Sequence, residues 1–559
     1  MIRNYRLGLL AALAGLACGE KASPPVGNDG GSTADGSGQI NATSSIATNL
    51  HGIAYWSPEW TFVDAFKASS PWISGSTSGS WNDGRIVDTD TDGWVKSLQA
   101  DQIARTLMFV IQGGHYPAGP YIVRYDGQGT LQYGQGATLA QSGPGRDVLQ
   151  VDPIRGPIEL DVTSTAAGDP IRNIHVIMPG GICHGDPFRY AADSAACSGL
   201  GAFESFEDNY ATIVFHPKFL ERLRPYRALR FQEWAATNNS TQQFWSGRSK
   251  LSDARWWEYP PLNAKGVPVE VMVDLANRLG ADPWFNLPHL ADDAYVTEYA
   301  RLVAQNLRPD LKAYVEYSNE VWNGIFAQAA YAQAQGLALG LSTNPGLAQL
   351  FFYSKRSVEI FAVWSAEMGN PARLVRVMAT QAAATQASQY VLDYDNASLK
   401  TDVLAIAPYF GNRLGMPSQE TTTAAMTLSD LFSALQTSEL PLAVGMINDQ
   451  MAVAKAHGLP LVAYEAGQHL VGVGSAQNNL AINALFDSAN RDPRMGDVYT
   501  SYLNAWKASG AQLLFHFTSC GVYDKYGRFG ALEYLEQPRA DAPKLDAIQT
   551  FMEQNPQWW

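Results

Sequence analysis

The chain has 559 residues, long enough for several units or for one large barrel carrying an insertion. Hydrophobic residues make up 46 % and charged residues 16 %, which describes a globular protein with ample material for a core. A formal net charge of −14 argues against nucleic acid and polyanionic substrates, both of which it repels at long range.

The chain begins as a targeting segment, with Arg3 and Arg6 ahead of an apolar run over 7–17 that is too short for a stable membrane span. The run ends in Leu16-Ala17-Cys18 after Leu13-Ala14-Gly15 and resembles the lipobox of bacterial lipoproteins. That resemblance implies a signal peptide over 1–18, lipidation of Cys18, and export to the outer membrane or cell surface, because residue 20 is Glu and not Asp. Residues 19–45 are dominated by Gly, Ser, Asp, Asn, Pro and Thr and read as a flexible tether.

Residues 51–56 read as a first strand. From 93 to 180, short β-like runs at 104–110, 121–125, 157–162 and 171–177 alternate with Gly- and Asp-rich turns. This is the spacing of a β-sandwich-like insertion after the first strand. Cys183 and Cys197 flank a short loop rich in Gly, Ala and Ser; a disulfide there would contribute about 3 kcal/mol in an oxidising compartment, and Cys520 is left as a buried free thiol. No spacing suggests zinc.

After about residue 215, strand and helix alternate. Strands are expected at 228–232, 283–287, 313–318, 374–378, 403–407, 461–464 and 513–517. Helices are expected at 267–279, 293–307, 326–339, 347–368, 446–457 and 497–508, with Asp292 or Asp293 as an N-cap. With the first strand this makes eight short apolar strands, hence an α/β fold: a (β/α)8 TIM barrel over 46–92 and 181–559, interrupted by the β-rich domain at 93–180. A doubly wound sheet would want a Gly-rich phosphate turn, which is absent.

Active sites of such barrels lie at the C-terminal ends of the strands. The fourth strand ends in Ser318-Asn319-Glu320 and the seventh in Tyr464-Glu465. Two carboxyl groups at one mouth are what retaining glycoside hydrolysis needs: one as acid and then base, the other as nucleophile, about 5–5.5 Å apart. The run Glu316-Tyr317-Ser318-Asn319-Glu320 resembles the E-x-x-N-E segment of clan A glycoside hydrolases, family five in particular. The resemblance implies Glu320 as acid/base, Glu465 as nucleophile and Asn319 as ligand of the neighbouring sugar hydroxyl. It further implies Arg230 beside the nucleophile, His289 in the sugar subsite and Tyr409 donating to Glu465. Val321 stands where family five usually has Pro. His516 and Phe517 stand where a Trp usually floors the sugar site, so Trp56, Trp234 and Trp322 are candidates for that stacking role.

Several readings stay structural. Glu316 is expected to be a buried charge paired with Arg230 or Arg376, Glu59 a solvated loop residue, and Trp256-Trp257 a packed corner. The function expected is a retaining β-glycoside hydrolase acting on a neutral poly- or oligosaccharide of β-glucan or β-mannan type. It needs no cofactor or metal, works as a monomer and meets the membrane only through its anchor. The alternative is a non-catalytic cell-surface carbohydrate-binding lipoprotein; an esterase is disfavoured because no G-x-S-x-G elbow is present.

Overall fold

A computed structural model of the chain describes residues 41–256 and 265–559. The signal peptide, Cys18, most of the expected tether and Trp257 lie outside the described residues.

Eight parallel strands close into a barrel: β1 (Ile46–Asn49), β2 (Ala228–Arg230), β3 (Asp282–Leu287), β4 (Ala313–Tyr317), β5 (Leu374–Ala379), β6 (Val403–Ile406), β7 (Leu461–Ala466) and β8 (Leu514–His516). β1 closes the ring, pairing with β2 through Thr48↔Leu229 and with β8 through Ala47↔Phe515. This is a (β/α)8 barrel with a β-rich insertion after its first strand.

Side chains alternate across each strand, and the barrel uses both sets. One set (Ala47, Ala228, Trp284, Val377, Ala405, Val462, Tyr464 and Phe515) fills the interior as a separate apolar cluster. The other set (Ile46, Leu229, Phe285, Val315, Leu404, Leu461 and Leu514) packs outward in the main core with the surrounding helices. The helix Val269–Leu279 shows why the segments between strands are helical. Its apolar residues bury one face, and Gly280 stops it in the left-handed conformation (φ 61°), where a side chain would be strained. Asp292 caps the next helix (Asp293–Asn306) by accepting from Tyr295 N.

The first strand is not where the sequence pattern put it. Residues 51–56 are apolar because they pack at the barrel mouth, whereas β1 is the short, fully buried Ile46–Asn49. The expected tether is also too long. Asn41, Ser44 and Ser45 are buried, and Asn41 Nδ2 donates to the Tyr226 and Leu279 carbonyls at the bottom of the barrel. Polar composition misled here because those polar groups satisfy backbone carbonyls.

The β-rich segment starts before 93 and continues beyond 180. Ile73–Ser76 pairs with Gln102–Met108 in a four-stranded antiparallel sheet completed by Ile158–Thr165 and Gly129–Gln135. A second such sheet runs Arg172–Ile177, Gly119–Asp126, Arg146–Val151, Ala137–Gly143. A small three-stranded sheet over 181–205 follows, and the Cys183–Cys197 disulfide lies in that region. Cys520 is buried and free. The insertion touches the barrel where His115 stacks on Tyr534 at 3.7 Å between ring centres. Among the described residues no helix is long and apolar enough to cross a membrane.

Candidate active site

Because all eight strands are parallel, their C-terminal ends share one mouth. A cleft of about 640 Å³ opens there, lined by residues that follow every strand but the third.

The interior parity of β2 and β4 sends Arg230 and Glu316 inward above the apolar plug. Arg230 has no exposed surface. Its guanidinium donates to Glu465 Oε1 (2.8 Å), Asn49 Oδ1 (3.2 Å), Glu316 Oε2 (2.9 Å) and Asn319 Oδ1 (2.8 Å). It also faces the rings of Tyr464 and Trp284 at 5.0 and 5.5 Å. One buried cation thus ties β1, β4 and β7 together. Trp284 Nε1 and Asn286 Nδ2 complete the shell of Glu316, whose carboxyl burial pushes above its ordinary range. Glu316 therefore pairs with Arg230, while Arg376 pairs with Asp402.

Two backbone devices bring the remaining carboxyls to the cleft. After β4 the chain turns through left-handed conformations at Ser318 (φ 60°) and Glu320 (φ 43°). Each costs about 1–2 kcal/mol for a non-glycine residue, which the packed surroundings must offset. On β7 the pairing with β8 slips between Ala463 and Ala466, a bulge that lets Glu465 turn into the mouth beside the inward-facing Tyr464.

Glu465 is hydrogen-bonded through both oxygens, by Arg230 and by Tyr409 OH (2.9 Å). A positive charge 2.8 Å away suits a group that acts as an anion. Among the described residues the hydrogen-bond partners of Glu320 are neutral: Tyr464 OH to Oε1 (3.1 Å) and Asn323 Nδ2 to Oε2 (2.8 Å). Burial, and then the charge of Glu465, push its carboxyl up to about 7. Two carboxyls in one cleft are thus held in contrasting environments, which is how acid and anion roles are divided near neutral pH.

Of the residues singled out in the sequence, the structure brings Asn319, Tyr409, Trp56 and Trp322 into the cleft wall with the two carboxyls, and Arg230 directly beneath. Three others lie elsewhere. His289 follows β3, the strand whose end does not reach the cleft; it packs on Tyr331, and burial pushes it down to about 4. His516 ends β8 but is buried against Tyr499 OH at 3.1 Å, and burial pushes it down to about 3. Trp234 is fully buried among Phe215, Phe219 and Phe231, its indole N–H donating to the His51 carbonyl. A strand-end position alone did not decide which way these side chains point. Glu59 is buried instead of solvated, and burial pushes it up to about 8. Trp256 is packed against Phe62 and Lys67.

Phe517, which stands where a Trp usually floors the sugar site, lines the cleft, and so do His51, Glu233, Asn238, His469 and Phe529, which the sequence pattern did not mark. Glu233 carried a usable signal, an acidic residue just past a barrel strand. Tyr464, read only as strand, donates to Glu320. Among the described residues no group of three or more His, Cys, Asp or Glu side chains is arranged to hold a metal ion.

No protein-family model matches the chain, and no curated protein sequence matches it. Among solved structures it is similar to a 4-O-alpha-L-rhamnosyl-beta-D-glucuronidase from Fusarium oxysporum 12S, with 14% identity and a TM-score of 0.36 over 59% of this chain and 62% of that one. It is also similar to a modular endo-beta-1,4-mannanase of glycoside hydrolase family 26 from Cellulomonas fimi, with 14% identity and a TM-score of 0.31 over 53% of this chain and 60% of that one. A third is a Bacteroidetes-affiliated cellulase of family five, with 11% identity and a TM-score of 0.31 over 60% of this chain and 87% of that one. The chain thus spans a little over 60% of the length of the first and 60% of the second. Its structural neighbours include glycoside hydrolases of families five and 26, at low identity.

Proposed function

We propose that the protein is a retaining β-glycoside hydrolase acting on a neutral poly- or oligosaccharide, with Glu320 as acid/base and Glu465 as nucleophile. The supporting observation is the contrast between the two carboxyls: Glu320 pushed up to about 7 and bonded, among the described residues, by neutral donors, Glu465 bound by Arg230 and Tyr409. In the first step Glu320 gives its proton to the glycosidic oxygen while a carboxylate oxygen of Glu465 bonds to the anomeric carbon and the C–O bond to the leaving sugar breaks. In the second step the ionised Glu320 takes a proton from water, whose oxygen attacks the same carbon and releases Glu465. Asn319 is the ligand for the adjacent sugar hydroxyl. Trp56 and Trp322 offer half-buried aromatic faces for sugar rings.

The test is hydrolysis of a panel of β-glucans and β-mannans, with the anomer of the first product followed by NMR. Retention is expected, with Glu465→Ala inactive and Glu320→Gln slowed about 10²–10⁴-fold on natural substrates. An inverted first product, or wild-type rates from Glu465→Ala, would overturn the assignment.

We further propose that the protein is exported and held to a membrane through a lipid on Cys18, as a monomer. The lipobox-like Leu16-Ala17-Cys18 supports the anchor. Cys18→Ser should move the protein from the membrane to the soluble fraction; a protein that stays soluble with Cys18 intact contradicts it.

A further inference from the structure

The cleft holds a third carboxyl group that neither step uses. Glu233 lies three residues beyond the end of β2, half-buried in the cleft wall. Its Oε2 accepts from Gly52 N at 2.7 Å; among the described residues its carboxylate has no other hydrogen bond. The neighbouring Trp234 donates from its indole to the His51 carbonyl at 3.0 Å. Residues 233 and 234 thus grip the backbone at 51–52 from one side, which fixes where the Glu233 head group sits. Burial pushes its carboxyl up to about 7, against the Gly52 N–H and with the charge of Glu465 adding to the rise.

A carboxylate has about four acceptor positions, and here the surrounding protein fills one. Glu233 is half-buried, so its remaining acceptor positions are open to the cleft, where a ligand can supply donors. Sugar hydroxyls are such donors. Among the described residues lining the cleft there is no Lys or Arg, and Arg230 beneath has no exposed surface and already pairs with Glu316 and Glu465. A sugar carrying a carboxylate would therefore meet Glu233 and Glu465 with no free positive charge to receive it.

We infer that Glu233 is a specificity-determining residue: it accepts hydrogen bonds from hydroxyls of a neutral sugar bound in the cleft, and it excludes a uronic acid from that position. The inference rests on the glycosidase reading above. A purely structural role, holding the loop at Gly52, predicts something different. Glu233→Gln keeps an oxygen for Gly52 N–H, so a structural role would survive that change, while recognition by a carboxylate would not.

The experiment measures kcat and KM of wild type and Glu233→Gln on aryl β-glycosides with gluco, manno and galacto glycons, on singly deoxygenated forms of the best of these, and on a glucuronide. For the best neutral glycon the variant should lose about 10- to 100-fold in kcat/KM. On the one deoxy sugar lacking the contacted hydroxyl, wild type and variant should be nearly equal, and thermal midpoints should match. The wild type should leave the glucuronide untouched, and the variant should narrow that discrimination. An equal loss on the parent and every deoxy sugar, no loss at all, or ready hydrolysis of the glucuronide by wild type overturns the inference while the glycosidase reading stands. A wild type inactive on every glycoside overturns both.

Discussion

Replacing Glu320 by Gln should make the folded protein more stable above neutral pH and less stable in acid. Burial and the charge of Glu465 move the Glu320 carboxyl from its ordinary 4.5 to about 7. A carboxyl raised in this way contributes its full stability below 4.5 and loses it as pH rises through about 7. Above both values, keeping it ionised in place costs the folded state about 2–3 kcal/mol, allowing for its partial exposure. Gln carries no charge, so it escapes that cost. It keeps an oxygen for Tyr464 OH but turns an N–H₂ toward Asn323 Nδ2, losing about 1 kcal/mol at every pH. The difference between variant and wild type should therefore swing by about 2–3 kcal/mol between pH 4 and pH 8.5 and change sign on the way. Urea unfolding of both proteins at pH 4, 6 and 8.5, at fixed salt, measures it. The other titrating groups are shared and cancel. A difference that stays flat across that range would refute the account of Glu320. The same substitution removes the proposed acid, so gain in stability and loss of turnover should come together.

Tyr409→Phe deletes one donor to Glu465 and no buried apolar contact; kcat/KM should fall about 10- to 100-fold with little change in Tm, and unchanged turnover would show that the hydroxyl does not serve the nucleophile. Arg230→Met leaves Glu316 and Glu465 without their shared cation, and should cost about 3–5 kcal/mol in denaturant unfolding. Wild-type stability in that variant would mean that the two carboxyls do not depend on Arg230.

Much of this was legible because it follows from periodicity. Strands β2 to β8 announced themselves as short apolar runs between amphipathic helices, and Asn319-Glu320 and Glu465 stood at strand ends. What escaped was set by backbone conformation and by distant packing. No residue type signals the left-handed turn at Ser318 and Glu320 or the bulge that turns Glu465 into the mouth. β1 was hidden because Ile46–Asn49 is only four residues long, while the apolar run that follows it looks more like a strand than the strand does. His289 and His516 have the right neighbours in sequence but are buried behind the wall, a fact that only the finished packing decides.

The insertion also bears on the order in which the barrel is built. β1 has two sheet neighbours, β2 and β8, and neither is near in the chain: roughly 180 residues separate Asn49 from Ala228, and β8 lies close to the C-terminus. Joining β1 to β2 across an unstructured segment of that length costs about 1–2 kcal/mol more chain entropy than across an ordinary helix-length crossover. An insertion that has already folded brings Asn49 and Ala228 together and removes most of that difference. During synthesis β1 emerges first and has no barrel strand to pair with until Ala228–Arg230 has been made, and the ring can close only after Leu514–His516 has left the ribosome.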